Sequence, residues 1–398
     1  MKILISWAWI AWLTCAYRLQ KFGFEPVIVE KGKELRDEWY MIDFLWEWLQ
    51  ISEAMWIFPA LQKKCEQFKW LNVLNDSWKK VWGFSIKDTQ DYMATKWHKF
   101  ISISRGDLER ELYNSLQNKK AIRFNDYIKS LEELDDWVHI AFNSGKNDVF
   151  DIVIWADGIH SSTREFVRWD EQKFLYWMDS KVLITRLWGL WKLKDYEWYA
   201  KSHLAPWKMM ITIPTINEDL LVICWLNTKD KLWEIRKNPH KFIKENYSQY
   251  SLGKEVCDWL KEDTFIFVDD IAQVRMEQRY KWRTILIWDA ASCPTLLSGQ
   301  WAHMAMTQAY VLAHQLSLHT DSYTKAFQWH NKALFELVKE RMKRAKKLQW
   351  TVIPKNWFMT KVSYLIFWLM KYKRMINLSF APFAKPSLFD EWYPLKKQ

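Results

Sequence analysis

The chain has 398 residues, of which 49% are hydrophobic and 26% charged, and its formal net charge is +11. That length buries a large core, so two domains, or one domain with a large insertion, are expected. Five scattered cysteines without a C-x-x-C pair argue against a disulfide framework or a zinc site and for a reducing compartment, and with nine histidines in no ligand-spaced cluster no metal is expected. The composition has one anomaly: there are 30 Trp and 9 Gly, whereas Gly at about 7% would give roughly 28.

The N-terminal run Ile-Leu-Ile-Ser-Trp-Ala-Trp-Ile-Ala-Trp-Leu-Thr-Cys-Ala-Tyr, residues 3–17, reads as an apolar strand, a turn and the start of a helix. A second apolar run, Pro26–Val29, ends in Glu30. This is the β-α-β frame of a dinucleotide-binding unit, with an acid about 20 residues on to accept a ribose hydroxyl. At the G-x-G-x-x-G spacing, however, stand Trp7, Trp9 and Trp12. Met1-Lys2 and the uncharged run mimic a signal peptide, but the run leads directly into the Glu30 strand with no small-residue cleavage site. A cytoplasmic protein is expected.

A helical stretch follows, through Leu35–Glu38 and Ile51–Lys64, and then alternating apolar and polar residues over 68–104 predict antiparallel strands. Arg105–Gln117 is a helix opened by Gly106-Asp107 and striped by Leu108, Leu112 and Leu116. Strands near Ile122–Phe124, Val138–Phe142 and Asp151–Trp155 are expected to return to a parallel sheet and reach Ala156-Asp157-Gly158. From 174 to 275 the pattern changes to Lys181–Leu187, Lys208–Pro214, Leu220–Leu226 and Thr264–Val268 as strands, with one helix near Asp230–Tyr247. Met209, Ile211, Ile213, Ile223 and Leu226 could line a substrate face there, although strand alternation favours plain core for most of them.

Thr284–Asp289 is a buried strand feeding an apolar helix, Ala302–Leu318; a long helix, Tyr323–Lys347, precedes a basic tail. Residues 331–398 hold 15 Lys and Arg against 4 Asp and Glu, while the rest of the chain has 43 of each and is neutral. A solvated helix face is the simpler account of this charge. Contact with an anionic membrane surface is the functional one, because apolar Val362–Met370 adjoins Lys371, Lys373 and Arg374. No nucleic-acid module accompanies the charge, and no apolar stretch reaches the ~18 residues of a bilayer span.

Trp also occupies turn positions elsewhere, as in Asp76-Ser77-Trp78-Lys79, Asp135-Asp136-Trp137-Val138, Pro206-Trp207-Lys208 and Lys281-Trp282-Arg283. Such turns ordinarily use Gly for its tolerance of positive φ. Most Trp are therefore read as standing in glycine positions, with Trp329, Trp357 and Trp392 as exceptions.

Four segments carry a resemblance. They are the altered fingerprint with Glu30; Ser104-Arg105-Gly106-Asp107-Leu108 with Leu112; Ala156-Asp157-Gly158-Ile159-His160-Ser161-Ser162-Thr163-Arg164; and Trp288-Asp289-Ala290-Ala291 followed by Pro294 and Gly299-Gln300-Trp301-Ala302. In this order, over roughly residues 1–320, they resemble the FAD-dependent aromatic hydroxylases. These are single-component flavoprotein monooxygenases that include 4-hydroxybenzoate hydroxylase and the tetracycline-inactivating monooxygenase. The resemblance implies an α/β fold with a Rossmann-like FAD-binding domain (1–173 and 276–330), an inserted, mostly antiparallel β-sheet substrate domain (174–275) and a basic helical C-terminal segment (331–398).

It also implies FAD as cofactor, NAD(P)H as co-substrate, and O₂-dependent hydroxylation of an aromatic or polycyclic small molecule. By the same resemblance Glu30 binds the adenosine ribose, and Arg36 and Arg105 lie near the pyrophosphate and ribityl chain. Asp157 serves cofactor and pyridine nucleotide, and Asp289 holds a ribityl hydroxyl. Gly299, Gln300 and the Ala302 amide sit by the isoalloxazine, where N–H groups at a helix start stabilise negative charge. No side chain is singled out as catalytic, and His303 reads as a packed helix residue.

The glycine positions held by Trp7, Trp9, Trp12, Trp288 and Trp301 oppose this function. The first fingerprint glycine makes a tight turn, the second lets backbone approach the pyrophosphate, and the third allows close helix packing. The chain as it stands is expected to be defective in FAD binding and activity. A non-catalytic, poorly folded or membrane-surface-associated chain is the alternative.

Overall fold

Short apolar runs buried on both faces build the first of the two large sheets. A computed structural model describes the chain except residues 8, 36–40, 45–46, 66–69, 77–78, 86–100, 160–163, 165–172, 190–198, 216–218, 296–300 and 370–398. Strand β1 (Ile3–Ser6), helix α1 (Ile10–Lys21) and strand β2 (Val27–Glu30) form the opening crossover. The six-stranded sheet runs Tyr280–Lys281, Thr284–Leu286, Ile152–Trp155, β1, β2, Ile122–Phe124. It is parallel except for the Tyr280–Lys281 edge. Ile3, Ile5, Ile28, Ile152 and Ile154 pack with α1 and helix Trp301–Leu318, whereas Leu4, Val29, Val153 and Trp155 pack against a three-stranded meander. Having cover on both sides is why these strands read as unbroken apolar runs rather than alternations.

That meander corrects one expectation. Val138–Phe142 pairs antiparallel with Ile128–Glu133 and Asn147–Phe150 and does not join the parallel sheet. Its alternating burial, with every second side chain at the core, suits an antiparallel sheet with one outer face.

Helix α1 stops where Gly23 turns left-handed at φ +82°, with the Phe24 amide donating to the Leu19 carbonyl at 2.9 Å and the Gly23 amide to Gln20 at 3.1 Å. This closure satisfies the last carbonyls of the helix.

The eight-stranded sheet has the order Ser292–Cys293, Ile266–Arg275, Leu175–Trp188, Asp219–Asn227, Lys208–Pro214, Tyr199–Ala205, Trp70–Leu74, Lys80–Ser85. All its pairings are antiparallel except Tyr199–Ala205 with Trp70–Leu74. Residues 70–85 and 292–293 thus contribute strands from outside the 174–275 stretch. On one face, Leu183, Met210, Val222 and Leu226 meet Ile235, Ile243, Tyr247 and Val256 of the helices Leu232–Lys237, Pro239–Tyr247 and Ser251–Trp259. A single helix near 230–247 is therefore replaced by two. Asn238 ends the first and caps the second by accepting from the Lys241 amide at 3.0 Å, and Pro239 cannot continue a helix.

Helix Tyr323–Val352 joins the two halves. Its Phe327, Leu334 and Val338 lie in the core of the first sheet, while the Met342 carbonyl accepts from Gln273 and Ile353 packs on the large sheet. Helix Trp357–Leu369 follows. Among the described residues no helix is long and apolar enough to cross a membrane. The architecture is the mixed α/β class implied by the motifs, with parallel and antiparallel sheets and a C-terminal helical segment.

Candidate functional site

The carboxyl ends of β1, Ile152–Trp155 and Thr284–Leu286 lie side by side, because these three strands are sheet neighbours running in one direction. The chain turns from β1 to β2 on one side and continues through the other two strands on the opposite side. This makes a topological switch point, where ligands of open α/β sheets bind. The loops leaving the three strands are Trp7–Trp9, Ala156–Gly158 and Ile287–Ala290, so the sequence motifs converge there.

Indole fills this crevice. The rings of Trp7 and Trp9 stack with centroids 6.0 Å apart, and Trp9 meets Trp288 at 5.1 Å. Trp7 reaches across to within 3.8 Å of the space a Cβ on Gly158 would take. Trp7 and Trp288 both hold positive φ, at 82° and 56°. Left-handed backbone costs a bulky L-residue roughly 1–2 kcal/mol. Trp12 is wholly buried in α1, and its indole N–H finds no acceptor among the described residues. Trp155, at the end of its strand, is buried against the meander.

Arg105 starts helix Arg105–Asn114, capped by Ser104, whose hydroxyl accepts from the Asp107 amide at 3.2 Å. Its guanidinium lies 3.6 Å from the centre of the Trp9 ring and pairs with Glu109 at 2.7 Å in full burial. Among the residues expected at the site, then, Trp7, Trp9, Trp288 and Arg105 come together. Glu30 closes β2 and its Oε1 accepts from the Gly32 amide at 2.6 Å, so the carboxylate is held on its own loop. Asp157 is buried in the loop after Ile152–Trp155. Ala302 and His303 are buried in the first turn of Trp301–Leu318. Arg36, Gly299 and Gln300 lie outside the described residues, as does the side chain of Trp301.

Asp289 follows Trp288 in a short 3₁₀ turn. Burial pushes its carboxyl up to about 7, against the opposing pull of the Cys293 thiol and Arg105. Burial and the neighbouring Asp289 in turn drive the Cys293 thiol well above its ordinary range.

Arg164 and Gln308 position these loops, and neither is among the site residues expected from the motifs. Arg164 donates to the Ala290 carbonyl at 3.0 Å and to Ile159, tying the Asp157 loop to the Asp289 loop. It lies within the Asp157-Gly158 motif, which was the available signal. Gln308 accepts from the Trp288 amide at 2.9 Å and donates to Ser292 at 2.8 Å. No spacing pattern marks it.

Of the apolar residues considered for a substrate face, Leu226 lies with the helices of the outer layer. Ile213 and Ile223 lie on the opposite face with Ile353, and Met209 and Ile211 beside helix Trp357–Leu369. Cross-strand partners share a face, so Ile211 with Ile223 and Met209 with Trp225 point one way, and Lys208 with Leu226 the other.

The chain is 27% identical over 350 residues to a flavin-dependent monooxygenase from an unknown prokaryotic organism, covering 85% of this chain and 86% of that protein. It is 27% identical over 358 residues to a flavin-dependent monooxygenase of Legionella longbeachae serogroup 1 (strain NSW150), covering 86% and 87%. Among solved structures, tetracycline destructase Tet(51) superposes with a TM-score of 0.77 at 21% identity, over 93% of this chain and 96% of that one. Klebsiella pneumoniae HpxO, complexed with FAD and uric acid, superposes with a TM-score of 0.78 at 18% identity over 95% of each chain. No family model matches. In sequence and in fold, the chain resembles the FAD-dependent aromatic hydroxylases.

Proposed function

We propose that this chain carries the frame of an FAD-dependent monooxygenase, drawing on NAD(P)H and O₂ to hydroxylate an aromatic or polycyclic small molecule, and that the polypeptide bearing these indoles binds FAD poorly and turns over little or no substrate. The cluster of Trp7, Trp9 and Trp288 at the switch point carries this reading. A diphosphate needs bare backbone N–H groups within hydrogen-bond reach at the head of α1. Indoles take that volume, and Arg105 is engaged by Trp9 and Glu109. The residues present do not fit the cofactor.

In this reading Glu30, Arg36, Arg105, Asp157, Asp289, Gly299, Gln300 and the Ala302 amide are the vestiges of the cofactor site, spread over a nucleotide domain of 1–173 and 276–330. The 174–275 domain covers the substrate. Five scattered cysteines fit a cytoplasmic location.

The test is expression of the chain, followed by measurement of bound-flavin absorbance and NAD(P)H oxidation. Neither is expected. Placing Gly at 7, 9, 12, 155, 288 and 301 together is expected to bring flavin binding back. A yellow, NAD(P)H-oxidising protein with all its Trp would refute the impairment, and a colourless glycine version would refute the flavin function.

A second reading, attachment to an anionic membrane surface, is favoured by helix Trp357–Leu369. Phe358 is 72% and Leu365 54% exposed there, ahead of the basic tail.

A further inference from the structure

Among the described residues, eight non-glycine residues hold positive φ, and five of them are Trp: Trp7, Trp56, Trp207, Trp282 and Trp288. Asn and Asp, the residues that best tolerate this conformation, supply one each, Asn125 and Asp179. The remaining left-handed positions include Gly23, Gly145, Gly158 and Gly189. Trp thus follows the backbone distribution of glycine. Packing does not explain it, since Trp56 is 77% and Trp282 60% exposed. At the head of α1 the same exchange puts Trp9 and Trp12 where a fingerprint needs no side chain. The chain-wide shortage of Gly is met by the surplus of Trp.

Accumulated mutation does not produce this pattern. Single-base changes in the four glycine codons lead mainly to Ala, Val, Asp, Glu, Arg and Ser, with Trp only one of many outcomes. One replacement type recurring at five of these eight positions points to one codon with two meanings. UGA has that property, because different genetic codes assign it to termination, Trp or Gly.

We infer that UGA is read as glycine by the ribosomes of the organism that carries this gene, and that the polypeptide made there has glycine at positions 7, 9, 12, 56, 207, 282 and 288. The inference rests on the flavin reading only for Trp9 and Trp12; the other five positions stand on backbone conformation alone. In that polypeptide the switch point holds no indole cluster, and the head of α1 presents bare amides.

The experiment combines the gene's codons with mass spectrometry of the protein isolated from its own cells. Tryptic peptide 3–18 spans Trp7, Trp9 and Trp12, and peptide 202–208 spans Trp207. The expected result is UGA at all seven positions, with peptide 3–18 lighter by three exchanges of indolylmethyl for hydrogen and peptide 202–208 lighter by one. UGG codons at these positions, or peptides retaining the indole masses, overturn the inference. Flavin content of the same isolated protein is scored separately. Glycine peptides from a flavin-free protein leave the codon assignment standing and sink the flavin function.

Discussion

Trp207 and Trp282 sit in tight turns between strands, at φ 65° and 50°, with their rings in solvent or half-exposed. Relieving each with Trp207→Gly or Trp282→Gly is expected to stabilise the chain by about 1 kcal/mol, the left-handed penalty less the backbone freedom that Gly adds to the unfolded state. Trp329, inside helix Tyr323–Val352, is the contrast: Trp329→Gly should cost about 0.5–1 kcal/mol. Denaturant midpoints of the three variants check this, and equal shifts of one sign would contradict it. The turns at 207 and 282 were legible because polar or Pro neighbours interrupt apolar runs. Trp137, placed in the same class, has no positive φ, and Trp56 was not anticipated, because φ depends on how the chain leaves a helix and residue type does not report it.

Asp289 makes the stability of the fold depend on pH. Its folded pKa of about 7 lies above the ordinary 3.8, so the folded state holds the proton more tightly. The associated stability is complete below about pH 4 and is lost as pH rises through about 7, on the order of 4 kcal/mol. Asp289→Asn should flatten that decline between pH 4 and 7 in urea titrations. Parallel profiles for the two proteins would show that burial does not raise this carboxyl. The sequence marked Asp289 by its motif, but its protonation follows from the depth of its burial.

Among the elements, the helix pair at the outer face of the large sheet is the most exacting. A Cβ on Gly253 would come within 2.0 Å of the Tyr247 carbonyl oxygen, so the start of Ser251–Trp259 rests against the end of Pro239–Tyr247. Backbone cannot yield as a flexible side chain does, and Gly253→Ala is expected to cost about 3 kcal/mol or more by overpacking. Thermal unfolding measures it, and a change under about 0.5 kcal/mol would refute the close approach. The need for this glycine arises from two helices meeting, and no local pattern announces it. The break at Asn238-Pro239 is different. Both residues are visible in the sequence, and a proline at 239 forbids one helix from running through it even where the apolar period continues.

For the molecule as a whole, five left-handed Trp at roughly 1–2 kcal/mol each approach the ~5–15 kcal/mol by which domains are stable. The chain with Gly at those five positions should therefore unfold at a clearly higher temperature and in a sharper transition than the chain with Trp. The basic tail and the exposed apolar side chains of helix Trp357–Leu369 together make a testable membrane surface. If they dock on a bilayer, the protein cosediments with anionic vesicles, less so as salt rises, and not with neutral ones. Indifference to lipid charge would leave the tail as a solvated surface.

The crossover frame, the order of four motifs and the two kinds of sheet are legible from residue pattern alone. Each of these is carried by local periodicity or by residues close together in the chain. Tertiary structure decided which face of a strand meets which layer, as with Leu226 against Ile223, and that Val138–Phe142 belongs to the meander. It also decided that Trp7, Trp9, Trp288 and Arg105 share one crevice. Those outcomes depend on the register and adjacency of strands far apart in sequence, which hydrophobic pattern does not encode.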